Sequence, residues 1–369
     1  MLYFVQRYAD SPKMSNQSTP YRALGLMSGT SLDGLDLALI EWEPPFRYRW
    51  VATETIPYDA EWRNRLSNSP SLDGAALLTL DHAYGNFLAM CIDQFLEKVN
   101  ASAADLNFIA VAGHTVHHMP ELGYTYQLGC GPEIYAALGV KVVSDFRKQD
   151  LALGGQGAPL VPMGDRDLFG DKAGCLNLGG FANLTVLNRP EVQAYDLCVC
   201  NLLLNRLANQ AGLAYDAGGE LSLAGSPIPR LLSALEDLPY FQLSPPKSLA
   251  WEWVRDEVWP LFQAYNQADL ADRLATARIW IARSIARELA INRLSEVMVT
   301  GGGAYNTALL AEIEKEGNCQ MTLPEPALIE FKEALIFVYL AWLRLSGKAN
   351  TLRSVTGASR DHSSGIVYG

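Results

Sequence analysis

The sequence predicts an α/β chain in which one domain design is used twice, with a cleft between the two copies. Three observations carry that expectation. A strand–turn–strand pattern rich in Gly and Asn recurs after about 150 residues. Amphipathic helices alternate with these strands. The chain has 369 residues, which suits two domains at roughly 100–200 residues each. With 49% hydrophobic and 19% charged residues it reads as globular rather than disordered. A formal net charge of −11 argues against nucleic acid as a partner, because phosphate neutralisation needs a basic surface.

Taken in order, the chain opens with five apolar residues and turns polar at Gln6 and Arg7. That run is too short for a signal segment or a membrane span. Residues 1–22 are expected to be a leader, with Met14 as an alternative start. Next, Ala23-Leu24-Gly25-Leu26-Met27 and Leu35-Asp36-Leu37-Ala38-Leu39-Ile40 alternate around a turn at 28–34, which makes a hairpin. Leu77, Leu80, Tyr84, Phe87, Leu88, Cys91 and Phe95 share one helical face and are expected in the core. Phe108-Ile109-Ala110-Val111 reads as a strand leading to His114, His117 and His118, and Pro120 follows closely. Their spacing therefore does not make a helical metal site; His114 is expected to make a polar loop contact and the other two to be solvated.

The second hairpin runs from Cys175-Leu176-Asn177-Leu178 through Gly179-Gly180-Phe181-Ala182-Asn183 to Leu184-Thr185-Val186-Leu187. Asp196 follows an extended segment and precedes a helical run from Leu202. It is either a strand-end carboxylate or the N-cap of that helix. The Pro-rich stretch around Leu243-Ser244-Pro245-Pro246-Lys247-Ser248 is expected to be a mobile loop over the cleft. Leu274, Ile281, Ile285 and Leu289 mark another core helix. Val297-Met298-Val299-Thr300 then runs into Gly301-Gly302-Gly303 and a helix from Thr307. The apolar stretch 334–343, bounded by Lys332, Glu333 and Arg344, has the length of a buried helix. Six cysteines without a secretory signal are no disulfide framework and point to the reducing cytoplasm. Cys198 and Cys200 lack the second pair that zinc requires and are expected to pack as small buried residues.

Turns of this composition have a chemistry of their own. Backbone N–H groups and hydroxyls gathered in one concavity bind phosphate oxygens without a lysine. Asp33 or Asp36 beside the first turn can hold Mg²⁺. The turn at Gly301-Gly302-Gly303 would let an adenosine lie against the backbone. Walker A, dinucleotide and protein-kinase signatures are absent from the sequence. Three glycine turns in this order point to ATP, and Asp196 is the candidate base that a phosphoryl transferase needs for its nucleophile.

Several blocks carry more than a general pattern. They are Gly25-Leu26-Met27-Ser28-Gly29-Thr30-Ser31-Leu32-Asp33-Gly34-Leu35-Asp36, the block from Ser144-Asp145-Phe146-Arg147 through Gly154-Gly155-Gln156-Gly157, Asn177-Leu178-Gly179-Gly180, Gly301-Gly302-Gly303-Ala304 and Val355-Thr356-Gly357-Ala358. On these residues, from Ala23 to the C-terminus, the chain resembles the anhydro-N-acetylmuramic acid kinases. The resemblance implies duplicated ribonuclease-H-like domains of the actin-like ATPase superfamily. It places the first domain at 23–150, the second at 151–349, and returns the tail 350–369 to the first. It implies a kinase that uses ATP, Mg²⁺ and water to turn 1,6-anhydro-N-acetylmuramic acid into N-acetylmuramic acid 6-phosphate in peptidoglycan recycling.

Carried over residue by residue, Gly29, Thr30, Ser31, Leu32, Asp33, Gly34, Leu35 and Asp36 would be the phosphate loop, with Asp33 on the metal. Gly179, Gly180, Gly301, Gly302 and Gly303 would complete the nucleotide site. Asp196 would activate water, and His114, Asp145, Arg147, Gly155, Gln156 and Asn201 would contact the amino sugar. The implied setting is a cytoplasmic homodimer with no nucleic-acid or membrane partner. The chain departs from the family pattern at Ala112, where a histidine is usual, at Leu197-Cys198-Val199-Cys200, where Gly and Pro are usual, and at Asn205, usually acidic. Those departures keep two alternatives open: a kinase of another sugar, and a non-catalytic sensor of anhydro-sugars.

Overall fold

The computed structural model describes residues 2–3, 20–29, 32–129 and 131–369. Most of the expected leader, Met14 included, and Thr30 and Ser31 of the first turn lie outside the described residues. Two compact units form, one of Met1–Leu168 with Phe331–Gly369, the other of Phe169–Glu330. In chain order the strands are β1 (Leu2–Tyr3), β2 (Tyr21–Ser28), β3 (Gly34–Glu43), β4 (Arg47–Pro57), β5 (Phe108–Val111), β6 (His114–Met119), β7 (Tyr124–Leu128) and β8 (Val142–Ser144). Then come β9 (Gly174–Leu178), β10 (Phe181–Val186), β11 (Gln193–Val199), β12 (Glu296–Thr300), β13 (Gln320–Thr322) and β14 (Ile366–Tyr368).

The first unit's sheet has the order β1-β4-β3-β2-β5-β8-β14, and the second unit's the order β11-β10-β9-β12-β13. In the first, β4, β3 and β2 form an antiparallel meander that β5 and β8 continue in parallel. In the second, β11, β10 and β9 form the same meander, and β12 and β13 continue it in parallel. Shared order and shared strand directions make this one ribonuclease-H-like design used twice, as the recurring hairpin predicts. Parallel steps need crossover helices. The helix Gly74–Lys98, capped by the Asp73 carboxylate on Ala76 N–H, supplies the one before β5. Of the face read from the sequence it buries Leu80, Tyr84, Leu88, Cys91 and Phe95, while Leu77 and Phe87 are half-buried. The helix Leu270–Ile291, capped by Asp269, does the same before β12.

The boundaries differ from those expected. Tyr21 and Arg22 belong to β2 rather than to a leader, and the Arg22 guanidinium bonds buried Glu41 at 2.7 and 2.9 Å. The first unit continues to Leu168 instead of 150, and the chain returns to it at Phe331 instead of 350. Packing explains both shifts. The helix Pro326–Leu345 departs from helical geometry at Phe331 (φ −114°, ψ 16°). Beyond that point it lies so close on β2 that a Cβ on Gly25 would sit 2.2 Å from the Ala334 carbonyl oxygen. The helix Val161–Leu168 packs against the helix Pro326–Leu345, with a Cβ on Gly164 meeting the Ile336 side chain and Lys332 Nζ 3.2 Å from Asp165 in a buried pair. The C-terminal segment closes the unit: β14 pairs with β8, and the buried Asp150 carboxylate accepts from Thr356 Oγ1 at 2.8 Å and lies 2.8 Å from His362 Nε2.

Candidate active site

In the first unit β2 and β3 pair as far as Ser28 opposite Leu35, beside the turn. Leu32 adopts φ 58° and its N–H donates to the Gly29 carbonyl. Asp33 is exposed at the tip, and one of its carboxylate oxygens accepts from Gly34 N–H at 3.1 Å. Asp36 is half-buried and accepts from Thr55 Oγ1 at 2.6 Å. Leu35 is a core residue of β3, its side chain buried.

Beneath the turn lies a buried chain of hydroxyls. His114 Nδ1 is 2.9 Å from Ser28 Oγ, Tyr58 OH donates to the same oxygen at 2.8 Å, and Tyr58 OH is 2.6 Å from Tyr84 OH. Where a loop contact was expected, His114 is buried at the start of β6 and supports the end of β2. Burial lowers its pKa to about 4, so the imidazole is neutral. His117 and His118 are half-buried rather than solvated.

A second cluster of the same unit follows β8. Asp145 is buried in the left-handed region (φ 56°), with Lys148 Nζ 2.5 Å from one oxygen and no partner on the other, Oδ1. Strained residues of this kind concentrate at functional sites. Arg147 Nη1 donates to the Gly157 carbonyl at 2.9 Å, while its buried Nε has no partner. Asp150 fixes the glycine loop by accepting from Gly157 N–H at 2.7 Å. Gly155 is buried against Asp150; Gln156 is exposed, its N–H donating to the Thr356 carbonyl. Glu333 joins this cluster although the sequence reading used it only as a helix boundary. Burial raises its pKa, and Lys332 and Arg147 oppose that rise. The signal was two adjacent charges directly before the apolar stretch 334–343.

In the second unit the glycine turns converge. Asn201, the first residue of the helix Asn201–Ala208, donates its amide to the Leu178 carbonyl at 2.9 Å, and its N–H donates to the Gly179 carbonyl. Gly180 accepts from the N–H groups of Cys200 and Leu202. Gly301 adopts φ 82°, and a Cβ there would lie 2.6 Å from Asn177 Oδ1; one on Gly303 would lie 2.6 Å from Leu178 Cβ. Only glycine fits so close a backbone approach in that conformation. Gly302 is exposed. Gly179, Gly180, Gly301, Gly302, Gly303 and Asn201 therefore form one neighbourhood.

Asp196 lies on β11, and Cys200 holds the N-cap position of the next helix, so the capping alternative is excluded. A bulge opposite Ala182 and Asn183 leaves Leu197 unpaired and re-aims the strand beside Asp196. The segment expected to be mobile is instead bonded to that strand. Asp196 N–H donates to the Lys247 carbonyl at 3.3 Å, and Leu249 N–H donates to Asp196 Oδ2 at 2.9 Å. Tyr240 OH donates to the Asp196 carbonyl at 2.8 Å. Burial raises the Asp196 carboxyl to about 6, and the Leu249 N–H offsets part of that rise. Such a carboxylate is ionised at neutral pH and still basic enough to take a proton. Cys198 and Cys200 are fully buried, and burial raises both thiols, Cys200 to about 12, so they pack rather than react.

A family model described as anhydro-N-acetylmuramic acid kinase matches residues 21–369. Relatives with that same description include one from Shewanella sp. (strain MR-4), 36% identical over 358 residues, 92% of this chain and 96% of the relative. One from Sulfurimonas denitrificans is 34% identical over 365 residues, 94% and 98% of the two chains. One from Gloeobacter violaceus is 37% identical over 374 residues, 95% and 99%. Among solved structures, the Acidaminococcus fermentans (R)-2-hydroxyglutaryl-CoA dehydratase component A is similar at TM-score 0.47 and 16% identity, over 85% of this chain and 95% of that one.

Proposed function

The chain belongs to the anhydro-N-acetylmuramic acid kinase family, and from that premise we propose that it phosphorylates 1,6-anhydro-N-acetylmuramic acid with coupled hydrolysis. ATP and water are the co-substrates and N-acetylmuramic acid 6-phosphate and ADP the products, in recycling of peptidoglycan. The observation that carries the mechanism is Asp196, a half-buried carboxylate with its pKa raised to about 6 and one oxygen fixed by the Leu249 amide. Asp196 takes a proton from water; the water oxygen forms a bond to C1 while the C1–O6 bond breaks. The freed O6 then accepts the γ-phosphoryl group, so hydrolysis generates the nucleophile where it is used.

The turn from Gly29 to Asp36 is assigned to the ATP phosphates; Gly179, Gly180 and Gly301–Gly303 are assigned to the rest of the nucleotide. The two backbone glycine turns suit a ligand that lies flat on main chain, and Asn201, carried over as a sugar contact, holds its amide on the Leu178 carbonyl beside them. Asp33 suits Mg²⁺: it is an exposed carboxylate beside the turn, and such a cation takes one or two carboxylates and fills its shell with water and phosphate oxygens. When bound, Mg²⁺ supplies positive charge that offsets the phosphate oxygens. Asp145, Arg147, Gly155 and Gln156 are assigned to the amino sugar, supported by the unpartnered buried atoms of Asp145 and Arg147. His114 acts from beneath the phosphate turn rather than on the sugar. We further assign the enzyme to the cytoplasm as a homodimer; no helix among the described residues is long and apolar enough to cross a membrane.

The test is turnover of 1,6-anhydro-N-acetylmuramic acid with Mg-ATP in ¹⁸O-labelled water. The expected products are ADP and a 6-phosphosugar labelled at C1, with a rate that falls as pH drops through about 6, where Asp196 gains its proton. Asp196→Asn is expected to abolish turnover and to leave ATP affinity unchanged. Sugar binding without turnover would favour a sensor instead, and turnover confined to ordinary hexoses would favour another sugar kinase.

A further inference from the structure

One buried ion pair in the second unit has no role in the chemistry above. Lys247 Nζ lies 2.9 Å from Glu288 Oε1, and both side chains are more than nine-tenths buried. Tyr195 OH donates to the other Glu288 oxygen at 3.0 Å, and Asn292 Nδ2 donates to Tyr195 OH at 2.7 Å. The ammonium also sits 5.6 and 5.1 Å over the rings of Tyr195 and Tyr240. A buried pair is weak evidence for stability, since apolar residues of similar volume often do as well or better. Its place in the chain suggests another use. Lys247 sits in an irregular, largely exposed segment between the 3₁₀ turn Pro239–Gln242 and the helical turn at Trp251–Trp253. Glu288 is on the helix Leu270–Ile291, part of the core. The same segment supplies both backbone groups that bond Asp196, the Lys247 carbonyl and the Leu249 N–H.

We propose that Lys247 and Glu288 are positioning residues for the Asp196 carboxylate. Their ion pair ties an otherwise loose strap to the core helix, so that the Leu249 amide engages Oδ2 and turns Oδ1 toward the water to be deprotonated. Tyr240 completes the clamp: its hydroxyl bonds the Asp196 carbonyl, and its ring flanks the ammonium. The inference rests on the reading of Asp196 as the base.

It is tested in the full-length chain with Lys247→Met/Glu288→Gln, which removes both charges and strands neither. The thermal midpoint is expected to stay close to the wild type. The Leu249 amide should lose its protection in hydrogen exchange, and kcat should fall by about tenfold to a hundredfold, the scale of a misplaced catalytic group. KM for ATP should not change. Lys247→Arg, which keeps the charge, should recover more of kcat than Lys247→Met. Leu249→Pro, which deletes the N–H and leaves the pair intact, should reproduce the fall in kcat. A wild-type kcat in either the double variant or Leu249→Pro, with Asp196→Asn inactive, overturns the positioning role alone. A wild-type rate in Asp196→Asn itself overturns the base assignment and this inference with it.

Discussion

Asp196 and His114 are both titratable groups in dry surroundings, and burial moves them in opposite directions because it penalises charge of either sign. The carboxyl rises to about 6 and the imidazole falls to about 4. For His114 the consequence is a stability effect. Its folded pKa lies below the ordinary value of 6.5, so the unfolded chain takes up the proton first. Its contribution is present in full above pH 6.5 and is lost as pH falls from there toward 4. His114→Gln can still hydrogen-bond Ser28 and has no proton to gain. It should remove an acid destabilisation on the order of 2 kcal/mol, read as the difference in urea midpoints between pH 7 and pH 4.5. Equal acid sensitivity in both proteins would show that the imidazole is not neutral in the fold. The residue type was visible in the sequence, but its environment was not, because burial under the β2–β3 turn depends on strands that meet only in the folded unit.

The hairpins and the long helices were legible because their periodicity is local. Apolar alternation gave β2, β3, β9 and β10, and helical spacing gave the buried faces of Gly74–Lys98 and Leu270–Ile291. Two features of the site have no such periodicity. The bulge at Leu197 shifts the register of β11 against β10 between Asp196 and Cys198, and so exists only where the two strands pair. The strap at Lys247 is fixed by a partner 41 residues away on another element. Close packing of elements is itself testable at Gly25, where an added Cβ would meet the backbone of the helix Pro326–Leu345 at 2.2 Å. Since a backbone atom cannot rotate aside, Gly25→Ala should lower stability by about 1–3 kcal/mol, seen in thermal unfolding. Gly74→Ala, with nothing within 4 Å of the new Cβ, should unfold like the wild type or slightly later. Similar losses in both variants would mean that the helix does not sit on β2 as described.

Over the molecule as a whole, the two units are unequal in how the chain builds them. The second is continuous, Phe169–Glu330, and encloses its own core around Trp280, Ile281 and Leu184. The first needs two segments: Gly25 faces Ala334, and Asp150 takes Thr356 and His362 as partners. A fragment of residues 169–330 should therefore unfold cooperatively on its own. A fragment ending at 168 should not, because the Asp150 carboxylate and the apolar face of β2 would lose their partners. Circular dichroism in a urea series checks both, and a cooperative transition in the N-terminal fragment would refute this account of the first unit. Family membership spans nearly this whole arrangement, since the matched residues run from Tyr21 to the last residue.

By itself the sequence determined the kinds of element, their order and the repeated design, because periodicity and turn chemistry are properties of neighbours along the chain. Its motifs also carried the family resemblance. The tertiary structure decided the boundaries at 168 and 330, the burial of His114 beneath the first turn, the capture of the supposedly mobile loop, and the convergence of Gly179, Asn201 and Gly301. Each of these depends on groups distant in sequence that come together on folding, and burial and hydrogen bonding then set their chemistry.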